Sequence, residues 1–270
     1  MKQSHSPTIF GAYSMQPTYP DQMRVRVGKI PFLALSLAEA VDRVIDAGRR
    51  AEPISIRLSN AYCVALASRD AEYSHMMNRS GLNFPDGAPI VWFMKVRSGH
   101  GKASRVRGPS LFKETLKASQ STEIQHFLLG TTTETLDKLT DSINMNYPGV
   151  KIAGTFSPPF APVNNAMIKE CLVAIEATRA NIIWVALGTP KQDFLANELS
   201  MKSGRPCIAV GAAFDFVAGT VKEAPPLIQN SGFEWAYRFA MEPRRLWRRY
   251  LIGNMHFLYS ALFQSGSRNV

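Results

Sequence analysis

Residues 182–187 read Ile-Ile-Trp-Val-Ala-Leu, an apolar run with no polar alternation that stops at Gly188. A Gly-Thr-Pro turn follows, then a helical stretch over 192–199, and a second apolar run over 207–210 ends at Gly211. A strand with one wet face alternates in polarity; one without alternation fits a strand buried on both faces of a parallel sheet. In such sheets ligands bind beyond the carboxyl ends of the strands. The turns 188–192 and 211–215, which hold Gly188, Gln192, Gly211 and Asp215, therefore belong on one rim. Each taken singly is also an ordinary strand-to-helix turn, because a fold does not dictate a function.

The same alternation recurs along the chain. A strand is expected over 25–30. Ser36 and Glu39 form a capping box, and Leu37, Ala40, Val41, Val44 and Ile45 repeat at helical spacing up to a stop at Gly48. Further strands are expected over 53–58, 125–129 and 150–155, with helices over 61–68, 110–120, 133–146 and 163–179. This order predicts a doubly wound, Rossmann-like α/β fold with a mainly parallel sheet. The expected organisation is a loose tail over 1–23, a core over 24–220 and a helical, basic and aromatic appendage over 221–270.

Several polar residues fall where chemistry could be done. Asn60 follows the second strand, as a helix N-cap or as an amide reading a bound sugar or base. Asp86 stands in Pro85-Asp86-Gly87, either a bare turn or a carboxylate placed at the rim to take a proton from a hydroxyl. Residues 95–107 carry Lys95, Arg97, Lys102, Arg105 and Arg107, a solvated basic loop or a flap over an anion. In the appendage, Arg238, Arg245 and Arg248 are spaced by seven and three, which places them on one face of a continuous helix. Guanidinium groups so grouped suit a diphosphate, and their aromatic neighbours suit an anionic membrane interface.

The net charge of +10 favours acidic partners: nucleic acid, anionic lipid or phosphorylated substrates. Cys63, Cys171 and Cys207 form no CxxC pair, so neither a zinc site nor a disulfide framework is expected, and a reducing compartment suits them. The first 23 residues lack the apolar core of a signal peptide, and no stretch is long and apolar enough to span a bilayer.

The segments Asn60-Ala61, Pro85-Asp86-Gly87, Arg105-Val106-Arg107-Gly108, LGTPKQD, VGAAFDFVAGT and EWAYRFAMEPRRLWRRYLIGN, taken together and in this order, resemble the WecG/TagA/CpsF glycosyltransferases (glycosyltransferase family 26). The resemblance covers nearly all of the chain from about residue 25 to 257. It implies an inverting enzyme that moves a sugar from a UDP-sugar to an undecaprenyl-diphosphate-linked acceptor. The enzyme would lie peripherally on the cytoplasmic face of the bacterial plasma membrane, against its anionic surface. By the same resemblance Asp86 is the base, Asn60 and Gln192 bind substrate, and Arg105, Arg238, Arg245 and Arg248 meet the phosphates. Leu58 and Asp193 depart from the family's usual Thr and Glu. The donor stays open among N-acetylmannosamine, its uronic acid and glucose, and a homo-oligomer is allowed. The chain contains no Asp-x-Asp metal motif, so arginine is expected to take the place of a metal ion and no cofactor is expected.

Two other classes fit the composition less well. A nucleotide-dependent oxidoreductase would show GxGxxG after the first strand, and none is there. A non-catalytic nucleic-acid-binding protein of α/β fold would bind DNA or RNA in a salt-sensitive manner and ignore UDP.

Overall fold

The computed structural model describes residues 24–79, 81–98, 103–225, 227–228, 234–241 and 243–266, with side chains at 98, 238, 245, 246 and 248–252 left out. The tail expected over 1–23 and part of the basic segment 95–107 lie outside the described residues.

The chain enters as β1 (Arg24–Val27) and β2 (Ile30–Leu33), paired antiparallel. Alternation over 25–30 predicts one strand there. The difference comes from Gly28, whose φ of 60° lets the chain reverse. The order then runs α1 (Leu37–Arg49), β3 (Ser55–Ser59), α2 (Ala61–Arg69), α3 (Ala71–Arg79), β4 (Leu82–Pro85), α4 (Ala88–Ser98) and α5 (Gly108–Ser119). It continues with β5 (Gln125–Gly130), α6 (Thr133–Asn146), β6 (Lys151–Phe156), α7 (Asn165–Glu176), β7 (Ile182–Ala186), α8 (Lys191–Ser203), β8 (Cys207–Ala209) and α9 (Ala213–Val217). Two further helices, α10 (Glu234–Met241) and α11 (Pro243–Phe263), follow. The capping box starts α1 as expected: Glu39 donates its N–H to Ser36 Oγ at 3.2 Å, and Ser36 donates its own to Glu39 Oε2 at 2.7 Å.

The strands β3 to β8 form one six-stranded sheet in the order β4-β3-β8-β7-β5-β6, with every pair parallel. Its two faces bury alternate residues. Ile182, Trp184 and Ala186 pack with Ile56, Leu128 and Ile208 under α1, α5 and α6, whereas Ile183 and Val185 pack with Phe127 and Ala209 under α7 and α8. A strand covered this way has no polar positions to offer, which is why the run at 182–187 does not alternate.

Trp184 is wholly buried and its indole needs a partner. It donates to His126 Nδ1 at 3.0 Å, and His126 Nε2 lies 2.8 Å from Ser119 Oγ. Because Nδ1 accepts, the ring proton sits on Nε2 and goes to Ser119. Burial pushes His126 down to about 4, so it stays neutral at pH 7.

A further cluster joins β1 and β2 to α2, α3, α4 and α11, with Phe257 and Ala261 of α11 among its buried members. Phe257 meets Phe93 of α4 edge-to-face at 5.5 Å. Gly28 donates its N–H to Ser265 Oγ at 2.8 Å, and Arg97 donates to the Gly266 carbonyl at 2.6 Å. The last residues of the described chain are thus pinned to the β1–β2 turn and to α4. Cys63, Cys171 and Cys207 are all buried.

Gly108 opens α5 where the helix meets the end of β8, and a Cβ there would lie 2.5 Å from the Val210 carbonyl oxygen. Two backbones cannot give way as a flexible side chain would. Gly108→Ala is expected to cost roughly 1–3 kcal/mol, read as a fall in the urea midpoint with an unchanged m-value.

Candidate active site

Asp86, Asn60, Gly211 and Gly188 stand just beyond the carboxyl ends of β4, β3, β8 and β7, which are neighbours in that order. At about 4.8 Å between adjacent strands, the row from Asp86 to Gly188 is roughly 14 Å long. The rim drawn from the two glycine turns therefore also takes in Asn60 and Asp86.

At one end of the row Asp86 donates its backbone N–H to the Ser59 carbonyl at 2.9 Å, which ties the tip of β4 to the tip of β3. Asn60 is the N-cap of α2, its Oδ1 accepting from the Tyr62 N–H at 3.0 Å. Gly87 has a φ of 144°, and a Cβ placed on it would lie 3.6 Å from the Asn60 Cβ. Asn60 and the Asp86 turn are therefore side by side, and both residues are half-buried.

At the other end Gln192 is buried in the first turn of α8. Its Oε1 accepts from the backbone N–H of both Gly188 and Gly211, each at 3.1 Å. One amide oxygen thus clamps the turn after β7 to the turn after β8, with Gly188 at φ 77° and Gly211 at φ 61°. Asp215 lies in the first turn of α9, and its carbonyl accepts the backbone N–H of Thr220 at 3.0 Å and of Val221 at 3.3 Å.

Arg105 reaches the rim through its neighbour: Val106 donates its N–H to the Pro85 carbonyl at 2.8 Å, one residue before Asp86. The Arg105 guanidinium pairs with Glu234, the first residue of α10, at 2.5 Å. Arg107 takes the same carboxylate bidentately, Nε to Oε2 at 3.1 Å and a terminal nitrogen to Oε1 at 2.9 Å. It also holds Glu223 at 2.7 Å, and Lys113 holds the other oxygen of Glu223 at 2.8 Å. Burial alone would raise the Glu234 carboxyl, but hydrogen bonds and charge from Arg107 and Arg105 outweigh it and hold the group below its ordinary value. Burial also disfavours the Arg107 cation, and again the bonds to Glu234 and Glu223 prevail and raise it. A depressed carboxylate contributes stability above its unfolded value and loses it as pH falls through the folded one, so the cluster is intact at neutral pH.

Arg238 belongs to α10, whereas Arg245 and Arg248 belong to α11; their side chains lie outside the described residues. The spacings of seven and three assume one continuous helix, whereas the described residues place Arg238 in one helix and Arg245 and Arg248 in the next, whose first residue is Pro243.

Beneath the rim lie two buried charged residues: Arg57, not singled out from the sequence, and Asp193, noted there only as a departure from the family's usual Glu. Arg57, wholly buried in β3, donates to the Met76 carbonyl at 3.2 Å. Asp193, next to Gln192, accepts from the Tyr73 hydroxyl at 2.8 Å. Burial pushes Asp193 up to about 6, against the opposing pull of Tyr73, Arg57, Gln192 and Thr189. Burial likewise lowers Arg57 to about 10, which leaves it charged at pH 7. The signal for Arg57 was an arginine flanked by Ile56 and Leu58 inside a short strand. For Glu234 it was an acid at the head of an arginine- and aromatic-rich run. Among the described residues no group of three or more His, Cys, Asp or Glu could hold a metal ion.

A sequence model of the glycosyl transferase WecG/TagA/CpsF family matches residues 25–269. Over 188 residues the chain is 31% identical to an N-acetylglucosaminyldiphosphoundecaprenol N-acetyl-beta-D-mannosaminyltransferase of Bacillus subtilis (strain 168). That match covers 68% of this chain and 70% of the relative.

The Asp193 carboxyl has a folded value above its unfolded one, so it favours the fold below about pH 6 and that contribution is lost as pH rises through it. Between pH 7.5 and pH 5 the native protein is expected to gain on the order of 1 kcal/mol that Asp193→Asn does not. Urea unfolding of both proteins at the two pH values checks this.

Proposed function

Because this chain belongs to the WecG/TagA/CpsF family of glycosyl transferases, we propose that it moves a hexose from a UDP-sugar to a sugar carried on undecaprenyl diphosphate, with inversion and without a metal ion. The relative's name favours N-acetylmannosamine as the sugar moved and N-acetylglucosaminyl-diphosphoundecaprenol as the acceptor. The observation that carries the reading is the row of strand ends that sets Asp86 beside Asn60 and, through the Val106–Pro85 bond, beside Arg105.

The chemistry follows from those positions. Asp86 accepts the proton of the acceptor hydroxyl as that oxygen bonds to the anomeric carbon. The bond from that carbon to the UDP oxygen breaks in the same step, so one displacement inverts the centre. Negative charge then grows on the departing diphosphate, and fixed guanidinium groups in a site closed to water stabilise it best. Arg105 is the core's contribution to that task, and Arg238, Arg245 and Arg248 are the appendage's. Asp215 and the Gly188 and Gly211 turns, held by Gln192, form the nucleotide end of the row.

The lipid acceptor requires the enzyme to work at a membrane. No helix among the described residues is long and apolar enough to cross one. Two helices instead offer an apolar surface: Trp92 and Val96 of α4 beside Met255, Leu258, Tyr259, Leu262 and Phe263 of α11, all exposed. The spacing on α11 is one stripe of a helix whose opposite face is already buried against the core. Exposed apolar stripes with basic neighbours such as Lys95 and Arg97 suit an anionic bilayer surface.

Asp86→Asn is expected to lower transfer from UDP-N-acetylmannosamine to a short-chain lipid-diphosphate sugar by about 10²–10⁴-fold, with UDP binding unchanged by thermal shift. Native enzyme dialysed against EDTA should keep its rate; a native rate for Asp86→Asn would refute the assignment of the base. Placing Glu at both Leu258 and Leu262 should abolish sedimentation with vesicles containing anionic lipid while leaving the thermal midpoint within a few degrees.

A further inference from the structure

The ion cluster at Glu234 joins the two halves of the proposed site, and of its members the catalytic outline uses only Arg105. On the core side, Val106 is hydrogen-bonded to Pro85, so Arg105 and Arg107, which flank it, are fixed relative to Asp86. On the other side, Glu234 is the first residue of α10, and position 238 lies one helical turn further along. Both oxygens of this one carboxylate are used, with three guanidinium nitrogens on them. The pairing is mostly out of water, with the Arg107 and Glu234 side chains 10% and 11% exposed. A bidentate, desolvated arginine–carboxylate pair fixes direction as well as distance, which a surface pair does not.

We propose that Glu234 is a positioning residue for sugar transfer. It bolts the first turn of α10 to the Arg105–Arg107 segment, and so sets where the appendage arginines stand relative to Asp86. The inference rests on the transferase reading above. Glu223 supports the bolt by accepting from the same terminal nitrogen of Arg107 that bonds Glu234, while Lys113 takes the far oxygen of Glu223. The cluster therefore holds Arg105, Arg107 and Lys113 against Glu223 and Glu234, a net positive charge beside the place where a diphosphate departs. A displacement of about 1 Å in a group that meets the transition state can cost about 10²-fold in rate. Losing the bolt should therefore weaken turnover far more than nucleotide binding at the opposite end of the row.

The test uses the full-length enzyme with Glu234→Gln, and the charge exchange Glu234→Arg with Arg107→Glu. For Glu234→Gln the expected result is a kcat about 10–100-fold lower, with the KM for the UDP-sugar and the stoichiometry of UDP binding unchanged. Amide hydrogen exchange over 234–241 should quicken while β7 and β8 keep their protection. The charge exchange should recover part of the lost rate. A native kcat with unchanged exchange over 234–241 would overturn the proposal. So would a rate loss matched by an equal loss of UDP-binding stoichiometry, since that marks damage to the fold rather than misplacement. The exchange measurement needs no substrate. An inactive native enzyme would therefore count against the transferase reading, while quickened exchange in Glu234→Gln would still report on the bolt.

Discussion

Parallel strands cannot be joined by a tight turn; each must be followed by a crossover that returns the chain to the other end of the sheet. All six strands of this sheet obey that requirement, so every carboxyl end faces the same rim. Residues 60, 86, 188 and 211 are scattered over some 150 positions of sequence, yet the crossover rule puts them in one row. The rest of the site is an elaboration of that edge. Gln192 stitches two of its turns together, Asp86 and Ser59 stitch two more, and the 103–107 segment is hung from Pro85.

The polar groups below the rim explain why the edge keeps its shape. Asp193 and Arg57 are both buried, and buried charges contribute little net stability once the loss of hydration is counted. Their value is geometric. Asp193 sits next to Gln192 and takes the Tyr73 hydroxyl, so the turn that clamps Gly188 and Gly211 is tied to α3 on the far side of β3.

The appendage is joined to the core at both of its ends, by different forces. Near its start the joint is ionic, through Glu223 and Glu234. Near its end it is apolar, with Phe257 and Ala261 in the same cluster as β1, β2 and α4. Hydrophobic contact is insensitive to the approach of an anion, whereas an ion cluster is not. The ionic joint stands by the rim, and the apolar one lies beside the exposed stripe proposed above to meet the lipid.

Much of this was written locally. The unbroken run at 182–187, the glycines at 188 and 211, and the capping box at Ser36 each report the environment of their own few residues, so periodicity and turn chemistry reveal them. The motif series likewise pointed to the family, because those short segments stay in order along the chain. Other features depend on partners distant in sequence and had no local signature. The Tyr73–Asp193 bond across 120 positions and the Arg107–Glu234 fork across 127 are of this kind. A charged residue's sequence neighbours do not specify what it will face once the chain is folded. That is decided when strand order and crossover direction bring remote segments to the same edge, and only the tertiary structure carries that information.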